Sequence, residues 1–160
     1  MLDSNEYKIS DRYVKNSGSV FLTGVQALAR IPIQQLRADK ERGLNTAAFL
    51  AGYPGSPLAG LDIEIEKAKS LVSDLPIIHR PVLNEEHGAT AVMGSQLAAE
   101  QPDCNYDGII GLWYGKAPGL DRAGDALRHA VFTGTSRNGG AVAIVGDDPA
   151  AKSSTLPSSS

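Results

Sequence analysis

Apolar runs of strand length alternate along the chain with segments whose apolar residues recur at helical spacing. The runs are 46–52, 77–83, 108–114 and 141–145. Each is bounded by Gly, Pro, Asn or Asp, which is typical of strands buried in a sheet. The segments predicted to be helical are 20–42, 57–72, 85–100 and 120–132. Because strand and helix alternate regularly, the pattern predicts an α/β fold with a doubly wound, mostly parallel sheet.

The predicted helices carry the residues that we expect to face the sheet. The expected stripes are Leu61, Ile65, Ala68 and Leu71 in the second helix, and Ala91, Val92, Ser95, Leu97 and Ala98 in the third. Pro32 lies inside the first helix, where its missing N–H is expected to kink the helix or split it in two.

The chain divides into a short arm and one domain. Residues 1–19 are polar and aperiodic, and they are predicted to be a flexible or docking N-terminal arm. Residues 20–160 have the length of a single domain with a real core. A sheet of four strands that ends on the loop at 146–149 looks unfinished, which predicts that the domain is truncated at its C-terminus.

Composition and charge exclude several classes of protein. The formal net charge is −3, so no broad basic surface is available for nucleic acid. No apolar run approaches the length of a membrane span. Cys104 is the only cysteine, so the chain has no internal disulfide, fits a reducing compartment, and cannot by itself hold an iron–sulfur cluster, which needs about four thiolates.

The loops that follow the four strands are predicted to lie together. They are 52–57, 84–87, 115–119 and 146–149. Parallel strands end at the same edge of a sheet, and open α/β sheets bind their ligands at that edge. The convergence of four polar, Gly-rich and Pro-rich loops is therefore more informative than any one of them.

Glu85 is the most informative residue at this edge. It follows the second predicted strand, and Asn84 before it is a residue type that caps helices. Two interpretations stay open. Glu85 either places a negative charge in the first helical turn, where the helix dipole favours it, or contacts a ligand in an apolar pocket.

Other polar residues near the strand ends give weaker signals. Tyr53 to Pro57 could cradle a phosphate, although a tight turn between strand and helix is the commoner role. His87 together with His79 matches no standard zinc spacing, so no metal site is predicted. Gly115-Lys116 lacks the first glycine and the Ser/Thr of a Walker motif. Asp147-Asp148 could bind magnesium or an amine, although Asp-Pro commonly starts a turn.

Taken together, the loops carry a resemblance to one family. The motifs are Gly52 to Leu58 (Gly-Tyr-Pro-Gly-Ser-Pro-Leu), Asn84 to Ala89 (Asn-Glu-Glu-His-Gly-Ala), Trp113 to Lys116 (Trp-Tyr-Gly-Lys) with Pro118-Gly119 and Asp121-Arg122, and Gly146 to Pro157 (Gly-Asp-Asp-Pro-Ala-Ala-Lys-Ser-Ser-Thr-Leu-Pro). In order and spacing they resemble the N-terminal region of indolepyruvate ferredoxin oxidoreductase, in its long fused bacterial form. The resemblance spans Gly18 to Pro157, and the last motif is the most specific.

The resemblance implies a flavodoxin-like domain that binds the pyrimidine half of thiamine diphosphate. The family's glutamate, which bonds the aminopyrimidine ring, falls on Glu85, the implied catalytic residue. The resemblance further implies cofactor contacts at Glu85, Tyr53, Gly55, Ser56, Pro57, Lys116 and Asp147, with no metal ligand in this chain. It places the turn at Gly52 to Pro57 near the substrate and the thiazolium ring of the cofactor. The implied reaction is the oxidative decarboxylation of a 2-oxoacid, such as indolepyruvate or another aryl pyruvate, to an acyl-CoA with electrons passed to ferredoxin.

The remaining parts of such an enzyme are expected outside this chain. The resemblance implies that a separate domain holds the diphosphate and Mg2+ and that another holds 4Fe–4S clusters. It also implies a cytoplasmic homodimer that uses coenzyme A, and a fragment that is inactive alone. Neither nucleic acid nor membrane is expected as a partner.

Two departures and two rival interpretations accompany the resemblance. Pro54 stands where the fused family often has Arg, which leaves recognition of substrate charge at this loop open. After Pro157 the chain reads Ser158-Ser-Ser160 where His-Gln is expected, which predicts a chain cut inside its domain. The rivals are a non-catalytic α/β binding or assembly module and a non-redox thiamine diphosphate carboligase.

Overall fold

The computed structural model describes residues 7–55, 58 and 60–146. The helices and strands, in chain order, are α1 (Asp11–Val14), α2 (Gly24–Glu41), β1 (Thr46–Gly52), α3 (Leu61–Leu71), β2 (Ile77–Pro81), α4 (Glu85–Ala98), β3 (Gly108–Lys116), α5 (Ala117–Arg122), α6 (Gly124–Thr133) and β4 (Gly140–Gly146). The four strands form one sheet in the order β2-β1-β3-β4, and every neighbouring pair is parallel.

Helices cover both faces of this sheet. On one face, residues of α1, α2 and α3 pack against Ala48, Leu50, Leu112 and Tyr114 of the two central strands. On the other face, residues of α4, α5 and α6 pack around Phe49, Ala51 and Trp113. The α/β fold with a doubly wound parallel sheet is therefore confirmed, and its strand order is that of flavodoxin-like folds.

The reversal of chain direction places a switch point between β1 and β3. From β1 the chain crosses outward to β2, and from β2 it returns over β1 to reach β3. The loops after β1 and β3 therefore leave the sheet on opposite faces, and the switch point lies between the carboxyl ends of these two strands. Ligands of doubly wound sheets bind in the crevice outside such strand ends.

The first long helix runs without a break through Pro32. It begins at a capping box, in which the Thr23 side chain accepts from the Gln26 backbone N–H and the Gln26 side chain accepts from that of Thr23. The helix is not split at Pro32, so that alternative of the prediction is wrong, and the other alternative, a kink, stays a prediction. Pro32 lies fully buried beside Ile33 and Leu36, and packing of this face holds the helix together despite the missing hydrogen bond.

Three other sequence predictions need correction. In α4, Leu97 and Ala98 are exposed, whereas Ala89 and Gln96 are buried beside Val92 and Ser95. The predicted stripe of α4 mixed two sides of the helix, because small residues occur all around it. In α3, Leu71 is exposed and Val72, just beyond the helix, is buried instead. The helix predicted at 120–132 is two helices, since α5 starts at Ala117 directly after β3 and is followed by α6.

The segment predicted to be an arm contains a docked helical turn. Tyr13 of α1 is buried, and its hydroxyl donates to Glu64 Oε1 of α3 at 2.6 Å. The Arg30 guanidinium of α2 donates to the carbonyl oxygens of Arg12 and Lys15. These bonds attach residues 12–15 to the helical layer formed by α2 and α3.

None of the helices in the described part of the chain combines the length and the hydrophobicity that crossing a bilayer requires.

Candidate functional site

The strand register brings the loops after β1, β2 and β3 to one edge of the sheet. Gly52 at the end of β1 pairs with Pro81 of β2 on one side and with Tyr114 of β3 on the other. Lys116 at the end of β3 pairs with Gly146 of β4. The predicted convergence holds for these three loops, and the fourth, 147–149, lies outside the described residues.

Glu85 is the first residue of α4, and Asn84 is the N-cap. The Asn84 side-chain oxygen accepts from the His87 backbone N–H at 2.8 Å, so Asn84 provides the hydrogen-bond acceptor that caps the first turn of α4. Across residues 7–55, 58 and 60–146, the half-buried Glu85 carboxylate has no hydrogen-bond or ion-pair partner. The helix end therefore does not use Glu85 as a cap, although the N-terminal dipole of α4 favours its charge.

The Glu85 side chain lies against the backbone of Gly119 in α5. A β-carbon built on Gly119 would stand 2.5 Å from Glu85 Cγ and 2.6 Å from its Oε1. Only glycine leaves room for this side chain at position 119. The loop after β2 and the helix after β3 thus meet at the carboxylate.

Trp113 fixes the backbone of the same turn. Its indole is buried, and its Nε1–H donates to the Glu85 carbonyl oxygen at 3.0 Å. A β-carbon on Gly88 or on Gly115 would lie 3.2 Å or 2.7 Å from the ring. The first turn of α4 is therefore fastened to β3 through one aromatic side chain that fits between two glycines.

The turn after β1 packs closely on β3. A β-carbon on Gly52 would stand 2.3 Å from the Tyr114 carbonyl oxygen, and the Tyr53 backbone N–H donates to that oxygen at 3.2 Å. A β-carbon on Gly55 would lie 3.8 Å from Lys116 Cβ. Tyr53, Gly55 and Lys116, three of the residues singled out by the sequence, are thus neighbours at the switch point.

The other sequence-predicted residues fall differently. Ser56, Pro57 and Asp147 lie outside the described residues. Glu86, next to Glu85, is exposed and forms an ion pair with Arg122 of α5, with Nε and Oε2 3.6 Å apart. Successive helical residues are turned by about 100°, so the two carboxylates occupy different surroundings.

His79 is buried away from His87, which is exposed. Its Nδ1 lies 2.8 Å from Glu66 Oε1, and its Nε2 lies 2.9 Å from the Tyr114 hydroxyl. The hydrogen bond from His79 lowers the pKa of the Glu66 carboxyl. Among the residues described, no three His, Cys, Asp or Glu side chains are placed to hold a metal ion.

The sequence predicted Glu85 at this edge but missed the contacts that hold it. The positions of Gly119 and Trp113 around Glu85 depend on strand register. The burial of His79 could have been predicted from its position in the strand. His79 alternates with exposed Ile78 and Arg80 and shares the inward side of β2 with Ile77, and period-two spacing of this kind predicts a buried side chain.

Fold and edge geometry define the class of protein. It is an open, doubly wound α/β domain whose switch-point edge carries a half-buried carboxylate beside Gly119 and the buried Trp113. No family model, curated protein or solved structure matches the chain.

Proposed function

We propose that this chain forms the pyrimidine-binding part of a cytoplasmic, thiamine diphosphate-dependent 2-oxoacid:ferredoxin oxidoreductase of the indolepyruvate type. The observation that carries the proposal is the placement of Glu85. It stands at the carboxyl edge of the sheet, half buried, and the capping role that would otherwise explain it belongs to Asn84. The motifs of the loops supply the reaction class by resemblance.

The residues present fit the pyrimidine half of the cofactor. The Glu85 carboxylate is unpartnered within the described ranges and lies next to Gly119 and the α4 turn held by Trp113. A carboxyl group in such surroundings can share a proton with a ring nitrogen and fix the orientation of the ring. When bound, thiamine diphosphate supplies the nucleophilic carbon and the electron sink for decarboxylation.

The chain's own residues bind, orient and exchange a proton. Glu85 holds the proton at a carboxyl oxygen, Trp113 holds the backbone carbonyl of Glu85, and Gly119 leaves room for its side chain. Tyr53, Gly55 and Lys116 line the other side of the crevice. Ser56, Pro57 and Asp147 complete the set by resemblance.

Other parts of the complete enzyme would supply the remaining functions. In the proposal a second domain holds the diphosphate and Mg2+, and a further one holds the 4Fe–4S clusters that reduce ferredoxin. Coenzyme A takes the acyl group, and two copies of the enzyme form a homodimer. The substrate is indolepyruvate or another aryl pyruvate.

The test compares Glu85→Gln with Glu86→Gln in the complete enzyme. Glu85→Gln keeps the size of the side chain but cannot hand over a proton, so 2-oxoacid-dependent ferredoxin reduction should fall by about 10²-fold or more. Glu86→Gln removes only an exposed ion pair with Arg122, which is worth about 1 kcal/mol at most. Melting temperatures and calorimetric binding of thiamine diphosphate are measured beside the rates. Equal rates for the two variants would remove Glu85 from the reaction.

An assembly module without catalysis is the second candidate, and one observation favours it. Val131 and Phe132 at the end of α6 are 83% and 93% exposed, and adjacent exposed apolar side chains of this kind are common at protein interfaces. This candidate expects Val131→Ser with Phe132→Ser to abolish assembly, and it expects Glu85→Gln to leave assembly unchanged.

A further inference from the structure

A chain of three polar side chains runs beneath the turn that follows β1. Tyr114 of β3 is 0% exposed, and its hydroxyl lies 2.9 Å from His79 Nε2 of β2. His79 Nδ1 lies 2.8 Å from Oε1 of Glu66 in α3, whose side chain is 52% exposed. The three groups connect the interior below the switch point with the protein surface.

The hydrogen bonds that join Tyr114, His79 and Glu66 all run in the same direction. The bond from His79 lowers the pKa of the Glu66 carboxyl, so Glu66 is ionised and only accepts, and His79 Nδ1 carries a hydrogen. Burial, with added repulsion from the charges of Asp62 and Glu66, raises the pKa of the Tyr114 phenol, which stays protonated. With Nδ1 donating to Glu66, the tautomer that completes the network has Nε2 accepting from the Tyr114 hydroxyl, and both ring nitrogens of His79 have a partner.

Tyr114 also contacts the start of the turn after β1. Its ring occupies the space that Gly52 leaves open, since a β-carbon on Gly52 would stand 2.5 Å from Tyr114 Cγ. Its carbonyl oxygen accepts from the Tyr53 backbone N–H. The turn therefore rests on a side chain whose far end is fixed by His79 and, through His79, by Glu66.

We propose that Tyr114 is a positioning residue, which His79 and Glu66 hold in place, and that it sets the Tyr53–Gly55 turn at the ligand crevice between β1 and β3. This inference rests on the proposed function for its ligand, a 2-oxoacid bound beside the cofactor. Because the turn faces the crevice and Tyr114 itself does not, loss of the phenol hydroxyl weakens substrate binding more than it slows the bond-making steps.

The matched pair of variants is Tyr114→Phe and Tyr13→Phe. Tyr13 is 1% exposed, and its hydroxyl donates directly to a carboxylate of α3, that of Glu64. Burial raises the pKa of this phenol too. Both variants delete one buried hydroxyl that is linked to α3, directly through Glu64 for Tyr13 and through His79 for Tyr114. Tyr13 differs in that it lies in α1, away from the strand ends.

In Tyr114→Phe we expect the Tyr53 backbone N–H to exchange with solvent about tenfold faster, which is the effect of one lost hydrogen bond. The KM for the 2-oxoacid should rise about tenfold in the complete enzyme, while kcat stays within about threefold. In Tyr13→Phe both quantities should match the wild type, although the melting temperature falls similarly. Glu66→Gln, at the exposed end of the three groups, keeps an acceptor and loses the charge, so the exchange rate of the Tyr53 N–H and the KM should rise by less than in Tyr114→Phe. If Tyr114→Phe does not fold, Glu66→Gln takes its place as the test.

Three results would overturn the inference. One is Tyr53 exchange that is unchanged in Tyr114→Phe, or in Glu66→Gln should Tyr114→Phe not fold. Another is a Tyr114→Phe enzyme that turns over normally and has faster Tyr53 exchange but an unchanged KM for the 2-oxoacid. The last is a KM in Tyr13→Phe that changes as much as in Tyr114→Phe. A wild-type enzyme that reduces no ferredoxin with any 2-oxoacid would instead refute the proposed function, and Tyr53 exchange, which needs no substrate, would still decide whether Tyr114 sets the turn.

Discussion

The contact between Gly119 and Glu85 permits a substitution that moves the carboxylate without removing it. In Gly119→Ala the new β-carbon would stand 2.5 Å from Glu85 Cγ and 2.6 Å from Oε1. Non-bonded carbon atoms rest about 3.5–4.0 Å apart, so the Glu85 side chain must withdraw by about 1 Å or more. Glu85 is half exposed and can rotate away, so the backbone need not shift.

The size of the functional loss follows from this displacement. A misplacement of about 1 Å in a reacting group can cost about 10²-fold in rate. The stability should change little, because replacing glycine by alanine inside a helix is favourable by about 0.5–1 kcal/mol, which offsets the cost of moving the side chain. We therefore expect a folded enzyme with a normal melting temperature and about 10²-fold slower 2-oxoacid-dependent ferredoxin reduction.

Gly94→Ala is the control for Gly119→Ala. Gly94 lies in α4, the helix that carries Glu85, and a β-carbon there would meet no atom within 4 Å. The control should be stabilised by about 0.5–1 kcal/mol in denaturant unfolding and should keep full activity. A Gly119→Ala enzyme with an unchanged melting temperature and a rate within about threefold of the wild type would show that the position of Glu85 does not matter to the reaction.

Three further predictions concern the cap, alkaline stability and cofactor binding. Asn84→Ala should lower the free energy of unfolding by about 0.5–2 kcal/mol in urea titrations, whereas Asn84→Asp, which keeps an acceptor, should not. The raised pKa of Tyr114 means that its contribution to stability is complete below the unfolded-state pKa of about 10 and is lost progressively as the pH rises above that value. Tyr114→Phe should therefore flatten the decline in melting temperature above about pH 10, and an unchanged slope would contradict the assignment. Residues 1–160 alone should bind thiamine diphosphate weakly, because they supply only the pyrimidine side of the proposed site, and tight Mg2+-dependent binding in calorimetry would refute this.

The sheet could be predicted because its central strands are apolar on both faces. Residues 46–52 and 108–116 contain no charged residue before Lys116, and such runs indicate strands covered by helices on each side. Periodicity was less informative for α4, where Gly, Ala and Ser occur on every side and the buried set includes Gln96. Pro32 does not split α2, because the helical face around it is buried and its packing overrides the local effect of proline.

Only part of the candidate site could be predicted. Glu85 follows directly from strand, cap and helix signals that lie next to one another in the sequence. The contact with Gly119 joins residues 34 positions apart, and the bond from His79 to Tyr114 spans 35 positions. Contacts of this kind depend on which strands are neighbours and on their register, which local patterns do not contain.

The register of β3 explains how one strand can set both sides of the crevice. Trp113 and Tyr114 are consecutive, so their side chains point to opposite faces of the sheet. On one face Trp113 fits against Gly88 and Gly115 and holds the backbone of Glu85; on the other Tyr114 fits against Gly52 and holds the turn after β1. A β-carbon on Gly52 or Gly115 would lie 2.5 Å or 2.7 Å from the ring beside it, and one on Gly88 would lie 3.2 Å from Trp113, so both rings pack tightly on glycine backbone. The distance between the Glu85 carboxylate and the Tyr53–Gly55 turn is therefore set by two adjacent residues of a central strand, which is the most rigid part of a sheet and a suitable frame for a site whose groups must be placed to within about 0.5 Å.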